Sequence, residues 1–354
     1  MVLPTVVVLP SALLVVLPSA LLVVLPSALP VKNISFYTIS TMNWLALSAT
    51  LPIFSSAFSL ASKELLKYTE PISYTAYVLL VSGVGAILYQ LLSGQKIYVT
   101  ALSVFSGIVF GLATFGFESA VHVAHNPGLV SAIYRSQAAL TALVSVYFLN
   151  SKLSLAGGAG VFLTVIGAYL AAFDPDTDRE GMYKLQPQSL SETKEPESMT
   201  NQHTKPKSSN WLLWVAVAGV LMTVKDITAV KCIRGGMKAG NYVVSQLMFG
   251  GLVMLAYKLY KSGSFALKLN DESKRTAVLA GIGGVALDNL LWCIVLVYAM
   301  SIAPNPGYPK AITLVSVVIT SFASKFLFQG ASLDKRQWLG ILTILGGIGT
   351  MVFA

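Results

Sequence analysis

Charged side chains inside long apolar runs are the positions of this chain best placed to do chemistry. Arg135 lies nine residues into one such run, Asp288 with the adjacent Asn289 sits in the middle of another, and Lys225, Asp226, Lys310 and Glu118 fall in three more. If those runs cross a bilayer, each charge costs several kcal/mol unless it faces protein or a water-filled interior. Two readings follow. The residues bind or relay charge, or they pair off as fixed ion pairs, Arg135 with Asp288 for example, and only hold helices together. Both require an interior that is not lipid.

A second group is Glu118, His122 and His125. Spacings of four and then three put them on one face of a continuous helix, an arrangement that suits a metal site or a proton relay. Asn126-Pro127 follows His125 directly, and the residue before proline is pushed away from helical geometry. A polar helix end is therefore expected, and no metal. The two cysteines, Cys232 and Cys293, form neither a disulfide framework nor a ligand spacing. No nucleophile elbow, phosphate loop or His/Cys metal set occurs, so no cofactor is expected and the chain does not read as an enzyme.

Long helices must position these residues. The chain has 354 residues, 55% hydrophobic and 11% charged, where a soluble domain carries roughly 25% charged. Most of its outer surface must face lipid. Apolar runs long enough for a bilayer crossing, about 20 residues, lie at 43–62, 73–92, 99–119, 126–149, 154–173, 211–230, 241–260, 276–299, 305–328 and 336–354. Lipid obliges the backbone to satisfy itself, and these runs are too long for barrel strands. The expected fold is all-α, an integral multi-pass membrane protein of ten transmembrane helices. A net charge of +9 would suggest nucleic acid in a soluble protein. Here the basic residues mostly flank the runs, so the partner is the lipid bilayer and no nucleic acid.

Residues 1–41 form a low-complexity apolar extension in which VLPSALLV occurs at 8–15 and 16–23. A proline every eight residues makes a poor membrane helix, and the basic start of a signal peptide is missing. It is expected to be a tandem-repeat expansion ahead of Met42, with an eleventh helix or a targeting segment as the alternative. Residues 174–209 are a hydrophilic linker between 42–173 and 210–354. With five helices on each side, an odd number, the second half must lie inverted. Basic residues are denser on the side opposite the termini, which favours termini outside the cytosol.

The halves are related. Asn126 to Phe173 aligns without a gap on Asn305 to Val352, with ten identities in about 48 positions, among them Asn126-Pro127-Gly128 on Asn305-Pro306-Gly307 and Gly167 on Gly346. Asn is a favoured N-cap and Pro fits a first helical turn. The helix that follows either offers an anion-attracting end, with Lys310 about one and a half turns inside it, or is only a sharp turn. Glycines cluster in the fifth run (Gly157, Gly158, Gly160, Gly167) and the tenth (Gly340, Gly346, Gly347, Gly349). Small residues let helices approach closely, so runs 5 and 10 are expected to be scaffold helices or a homodimer contact.

The segment from Tyr298-Ala299 to Ala303-Pro304-Asn305-Pro306-Gly307, then Phe326-Leu327 and Leu333-Asp334-Lys335-Arg336-Gln337-Trp338-Leu339-Gly340, resembles the EamA-type domain of the drug/metabolite transporter superfamily. A weaker equivalent runs from Ala120 to Phe148, then Leu153-Ser154-Leu155 and Gly160 to Gly167. The likeness covers about 42–354. Members often carry Glu in the turn after the fourth and ninth helices; here those turns read Leu149-Asn150-Ser151-Lys152 and Phe328-Gln329-Gly330-Ala331. The resemblance implies secondary transport of a small organic metabolite by alternating access, with nucleotide-sugar or sugar-phosphate exchange as the alternative. A membrane-embedded enzyme or a structural protein is the remote one. It also implies cytosolic termini, against the charge bias. The cavity would be lined by helices 1–4 and 6–9, with Arg135, Asp226, Asp288, Asn289 and Lys310 facing it. Arg135 and Lys310, with Asn289 and Asp226, would bind substrate and favour an anion. Asp288 and Glu118 would couple protons or balance charge.

Overall fold

The computed structural model describes residues 44–124, 127–172, 211–327 and 335–352. The N-terminal extension, the linker, His125 and Asn126, and the turn at 328–334 lie outside the described residues. Among those described are twelve α-helices: α1 Trp44–Leu65, α2 Pro71–Leu92, α3 Ala101–Val123, α4 Pro127–Arg135, α5 Gln137–Leu149, α6 Leu155–Ala172, α7 Trp211–Arg234, α8 Ala239–Ser262, α9 Arg275–Ile302, α10 Gly307–Thr313, α11 Val315–Leu327 and α12 Lys335–Val352. They include no strand, and one isolated antiparallel bridge joins Thr69 to Leu269. Six helices, α1, α2, α3, α7, α8 and α9, are long and apolar enough to cross a membrane.

The expected single helices at 126–149 and 305–328 are each two. Ser136 donates its N–H to both Ala132 and Ile133, and Ala139 to Ser136; Leu314 donates to Ala311 and Val317 to Leu314. These three-residue bonds tighten the backbone between α4 and α5 and between α10 and α11. No proline sits at either break, so an apolar pattern could not reveal it.

The ungapped pairing of the halves also needs correction. Helix α5 begins at Gln137 and α11 at Val315, an offset of 178, whereas Gly160 meets Gly347 and Gly167 meets Gly340, a mutual pairing that needs an offset of 180. Gly167 then corresponds to Gly347 rather than Gly346, and Arg135, the last residue of α4, to Thr313.

The sides of the helices are sorted as a bilayer demands. Helix α1 buries Ser48, Ser55, Ser56, Ser59 and Ser62, while Leu88, Leu91 and Leu92 of α2 and Leu339, Leu342 and Leu345 of α12 are exposed. Buried hydroxyls of α1 return to carbonyls four residues back, Ser56 to Pro52 at 2.7 Å and Ser59 to Ser55 at 3.0 Å, so their burial leaves these donors satisfied. Thr100 and Ser103 cap α3 reciprocally.

Helix α1 packs on α9, α3 on α7, α2 on α8 and α6 on α12. The last pair explains the glycine clusters. A Cβ on Gly167 would stand 2.7 Å from the Gly340 carbonyl oxygen, and one on Gly160 2.7 Å from that of Gly347. These glycines are consumed within the chain, which supports a scaffold role, whereas Gly346 and Gly349 meet nothing within 4 Å. Helix ends are tied in matching pairs. Lys63 at the end of α1 donates to Val121 and Ala124 at the end of α3, both at 2.9 Å, and Arg234 at the end of α7 donates to Leu149 at the end of α5 at 2.8 Å. Tyr98, before α3, donates to Gly236 and accepts from the Lys238 N–H, both between α7 and α8, at 3.0 Å each. Asn270, before α9, donates to Tyr68, after α1, at 2.9 Å.

Candidate functional site

A central cavity receives residues from both halves. Its polar lining is Ser55 of α1, Thr114 of α3, Arg135 of α4 and the pair Asp288 and Asn289 of α9; its apolar lining is Phe58, Phe110, Phe117, Tyr134, Met222 and Trp292. The cavity volume is about 40 Å³.

Arg135 is 7% exposed and closes α4 at the break before α5. Its Nη1 donates to Ser55 Oγ at 3.1 Å, and its Nε has no partner. Asp288 is 6% exposed, and its Oδ2 has none either. The pairing of Arg135 with Asp288, weighed as a purely structural alternative, does not form within 4 Å, although both line one cavity. Asn289 donates through Nδ2 to Ser82 Oγ at 3.3 Å. Trp292 stands one helical turn beyond Asp288, so both project from one side of α9, and its indole N–H is unpartnered.

Near Trp292 lies a different arrangement. Asp226 Oδ1 is 3.1 Å from Lys225 Nζ, and Oδ2 is 3.0 Å from Lys310 Nζ. The second contact is an ion pair by distance, but its angle falls short of a hydrogen bond. All three residues are buried. The Lys310 ammonium lies 5.2 Å and that of Lys225 5.9 Å from the Trp292 ring centre, and Lys225 is 5.4 Å from Phe110, within cation–π range. The cluster thus holds two ammoniums on one carboxylate, with aromatic faces taking part of the excess positive charge.

Glu118 is buried elsewhere. Its Oε1 accepts from Ser62 Oγ at 3.3 Å, Ser62 shares a 2.7 Å hydrogen bond with Tyr74 Oη, and Glu118 Oε2 is unpartnered. Because His122 is exposed while Glu118 is fully buried, the trio weighed for a metal or relay is split between two environments. Among the described residues no three His, Cys, Asp or Glu side chains could hold a metal ion.

The Asn-Pro-Gly turn at 305–307 is filled by its own residues. Asn305, fully buried, accepts the Gly307 N–H through Oδ1 at 2.8 Å and donates through Nδ2 to Ala142 at 3.2 Å. A Cβ on Gly307 would meet that of Ala142 at 2.4 Å. This favours the turn over an open anion site. Sequence reasoning therefore located Arg135, Asp288 and Asn289, which share the cavity, and Asp226 and Lys310, which do not line it but pair beside it. It overlooked Trp292, which lines the cavity and whose ring centre lies 5.2 Å from the Lys310 ammonium. The spacing of four from Asp288 to Trp292 was the available signal.

A family model of EamA-like transporters matches residues 42–173. That family is part of the drug/metabolite transporter superfamily. With six apolar helices of spanning length among the described residues, the chain is a multi-pass integral membrane protein. A crystal structure of a protein 16% identical in sequence aligns over 87% of this chain and 98% of its own length, with a TM-score of 0.59. That likeness concerns the fold. Comparison with curated proteins gives no match.

Proposed function

We propose that this chain is a secondary transporter that moves a small organic metabolite across a membrane by alternating access. It is built as ten transmembrane helices in two inverted five-helix repeats, with α4–α5 and α10–α11 each forming one interrupted crossing. Three features support the architecture. The contacts of α1 with α9 and of α3 with α7 exchange under a two-fold relation of the halves, while α2 with α8 and α6 with α12 map onto themselves. The tied ends of α1 with α3, of α3 with the α7–α8 turn and of α5 with α7 support an alternating direction of consecutive helices. The two interruptions fall at corresponding points. Interrupted helices at the interface of such repeats are where transporters of this kind hold their substrates.

The observation that carries the function is the cavity itself. Its lining includes a guanidinium that bonds Ser55 but has no ion-pair partner and a carboxyl oxygen without a partner, both buried. Structural proteins gain nothing from charges held in that state, because each costs several kcal/mol when it lacks a partner. A carrier gains a site whose partners arrive with the substrate. The narrow cavity is consistent with a nearly closed form, which must part α1, α4 and α9 to admit a molecule.

Uptake into proteoliposomes tests this, with a panel of amino acids, organic cations, sugar phosphates and nucleotide-sugars. Arg135→Ala is expected to abolish uptake of whichever compound is carried, while the thermal melting of the purified protein stays close to that of the parent. Unchanged uptake by Arg135→Ala would remove the site assignment, and no uptake of any compound would count against transport.

A further inference from the structure

Away from the cavity, the helix ends differ in charge. The turns 93–100, 150–154 and 235–238 hold Lys96, Lys152 and Lys238, and the last turn of α7 adds Lys231 and Arg234. All five are exposed, and no acidic residue stands among them. They lie along one arc. Arg234 reaches the Leu149 carbonyl, just ahead of Lys152, at 2.8 Å, and Lys231 lies 5.7 Å from the Phe148 ring centre. Tyr98 bonds Gly236 and Lys238, and Asn241 donates to the Lys96 carbonyl at 3.2 Å. The end of α1 and the start of α9 are mixed instead: Glu64 pairs with Lys67 at 2.6 Å and Glu272 with Arg275 at 3.4 Å.

The fold itself does not call for all of these charges. Lys231 and Arg234 complement the dipole at the C-terminus of α7. Lys238, however, is the N-cap residue of α8, and Lys152 stands shortly before the first residue of α6, ends at which a cation is disfavoured. Lys274 holds the like position before α9, but with Asp271 and Glu272 beside it in the chain. We infer that the acid-free arc is a docking surface for the headgroups of anionic phospholipids. Tyr147, Phe148 and Leu155 are exposed next to Lys152 and Lys231, so a headgroup phosphate on the cations lays its acyl chains along apolar side chains. Exposed aromatic rings at helix ends mark the headgroup level of a bilayer. A free phosphate would use the cations and leave that apolar surface bare. Each Lys or Arg beside an anionic bilayer surface strengthens attraction roughly fivefold.

The test uses the full-length purified protein and native mass spectrometry, which counts lipids retained from an equal mixture of phosphatidylglycerol and phosphatidylcholine. The parent is expected to retain phosphatidylglycerol in preference. Lys152→Gln/Lys231→Gln/Lys238→Gln spares the bond from Arg234 to Leu149 and is expected to lower that preference about tenfold or more. Lys261→Gln/Lys268→Gln/Arg275→Gln removes the same charge from exposed residues at the ends of α8 and α9 and should lower it less than about twofold. Melting checks that each variant is folded; should the first triple variant fail to fold, Lys152→Gln alone is expected to lower the preference roughly fivefold. A parent without preference, or an equal loss in both triple variants, would overturn the docking surface. Displacement of phosphatidylglycerol by millimolar inorganic phosphate would overturn the lipid as its occupant, and retention of the lipid under that challenge supports it.

Discussion

Two groups of buried charge lie near Trp292, and they are treated in opposite ways. Lys225, Asp226 and Lys310 are locked together at 3.0–3.1 Å. Arg135 and Asp288 share a cavity without meeting. A buried ion pair contributes little net stability, but removing one partner is costly because the other charge is stranded. The paired cluster is therefore a fixed part of the fold. Arg135 and Asp288 make no such pair, so neither holds the other in place. Burial is common to both groups; partnership separates them.

The sharpest way to break this comparison is Asp226→Asn. It strands two ammoniums at once and is expected to destabilise the protein by about 3–5 kcal/mol, seen as a large fall in melting temperature and yield in detergent. A variant that melts like the parent would show that the cluster is not structural. Arg135→Gln should do the reverse: binding of the transported compound weakens about tenfold, about 1.4 kcal/mol, while melting is unchanged or raised. Loss of stability there, with affinity retained, would make Arg135 a structural residue.

Trp292→Leu touches both groups. Two cation–π contacts of roughly 0.5–1 kcal/mol each are lost, so melting should fall modestly and affinity should fall with it. An effect on one alone would tie Trp292 to one group only. The smallest effect is expected from Lys225→Met, which leaves a neutral Lys310–Asp226 pair of similar bulk. Stability should move by less than about 1 kcal/mol, in either direction. A collapse comparable to that of Asp226→Asn would mean that Lys225 has a further role, and equilibrium melting of the two variants side by side decides it.

Much of the architecture was legible before any coordinates. The apolar runs located the helices, because a bilayer imposes a length and a composition that leave little room for alternatives. The polar faces were harder to read. Helix α1 buries serines and leaves Ile53 outside, the reverse of a soluble helix, so periodicity alone does not say which side is the interior. The interruptions after Arg135 and after Thr313 were hidden, since neither carries a proline. The glycines illustrate both limits. Their clustering announced a close helix approach, but ungapped alignment paired Gly167 with Gly346, and only packing showed that Gly160 and Gly167 lie against Gly347 and Gly340.

The site divides in the same way. By itself the sequence determined that Glu118, Arg135, Asp226, Asp288 and Lys310 would need an interior that is not lipid, because a charge's cost in hydrocarbon depends on its chemistry and depth alone. Which charges neutralise one another depends on distances of a few ångströms between residues far apart in the chain. Lys310 lies 84 positions from the carboxylate it meets, and Arg135 shares a cavity with Asp288 without touching it. Tertiary structure alone decided that Asp226 would hold two lysines while Arg135 and Asp288 were left open, because Coulomb energy falls with separation in space and is indifferent to separation in sequence.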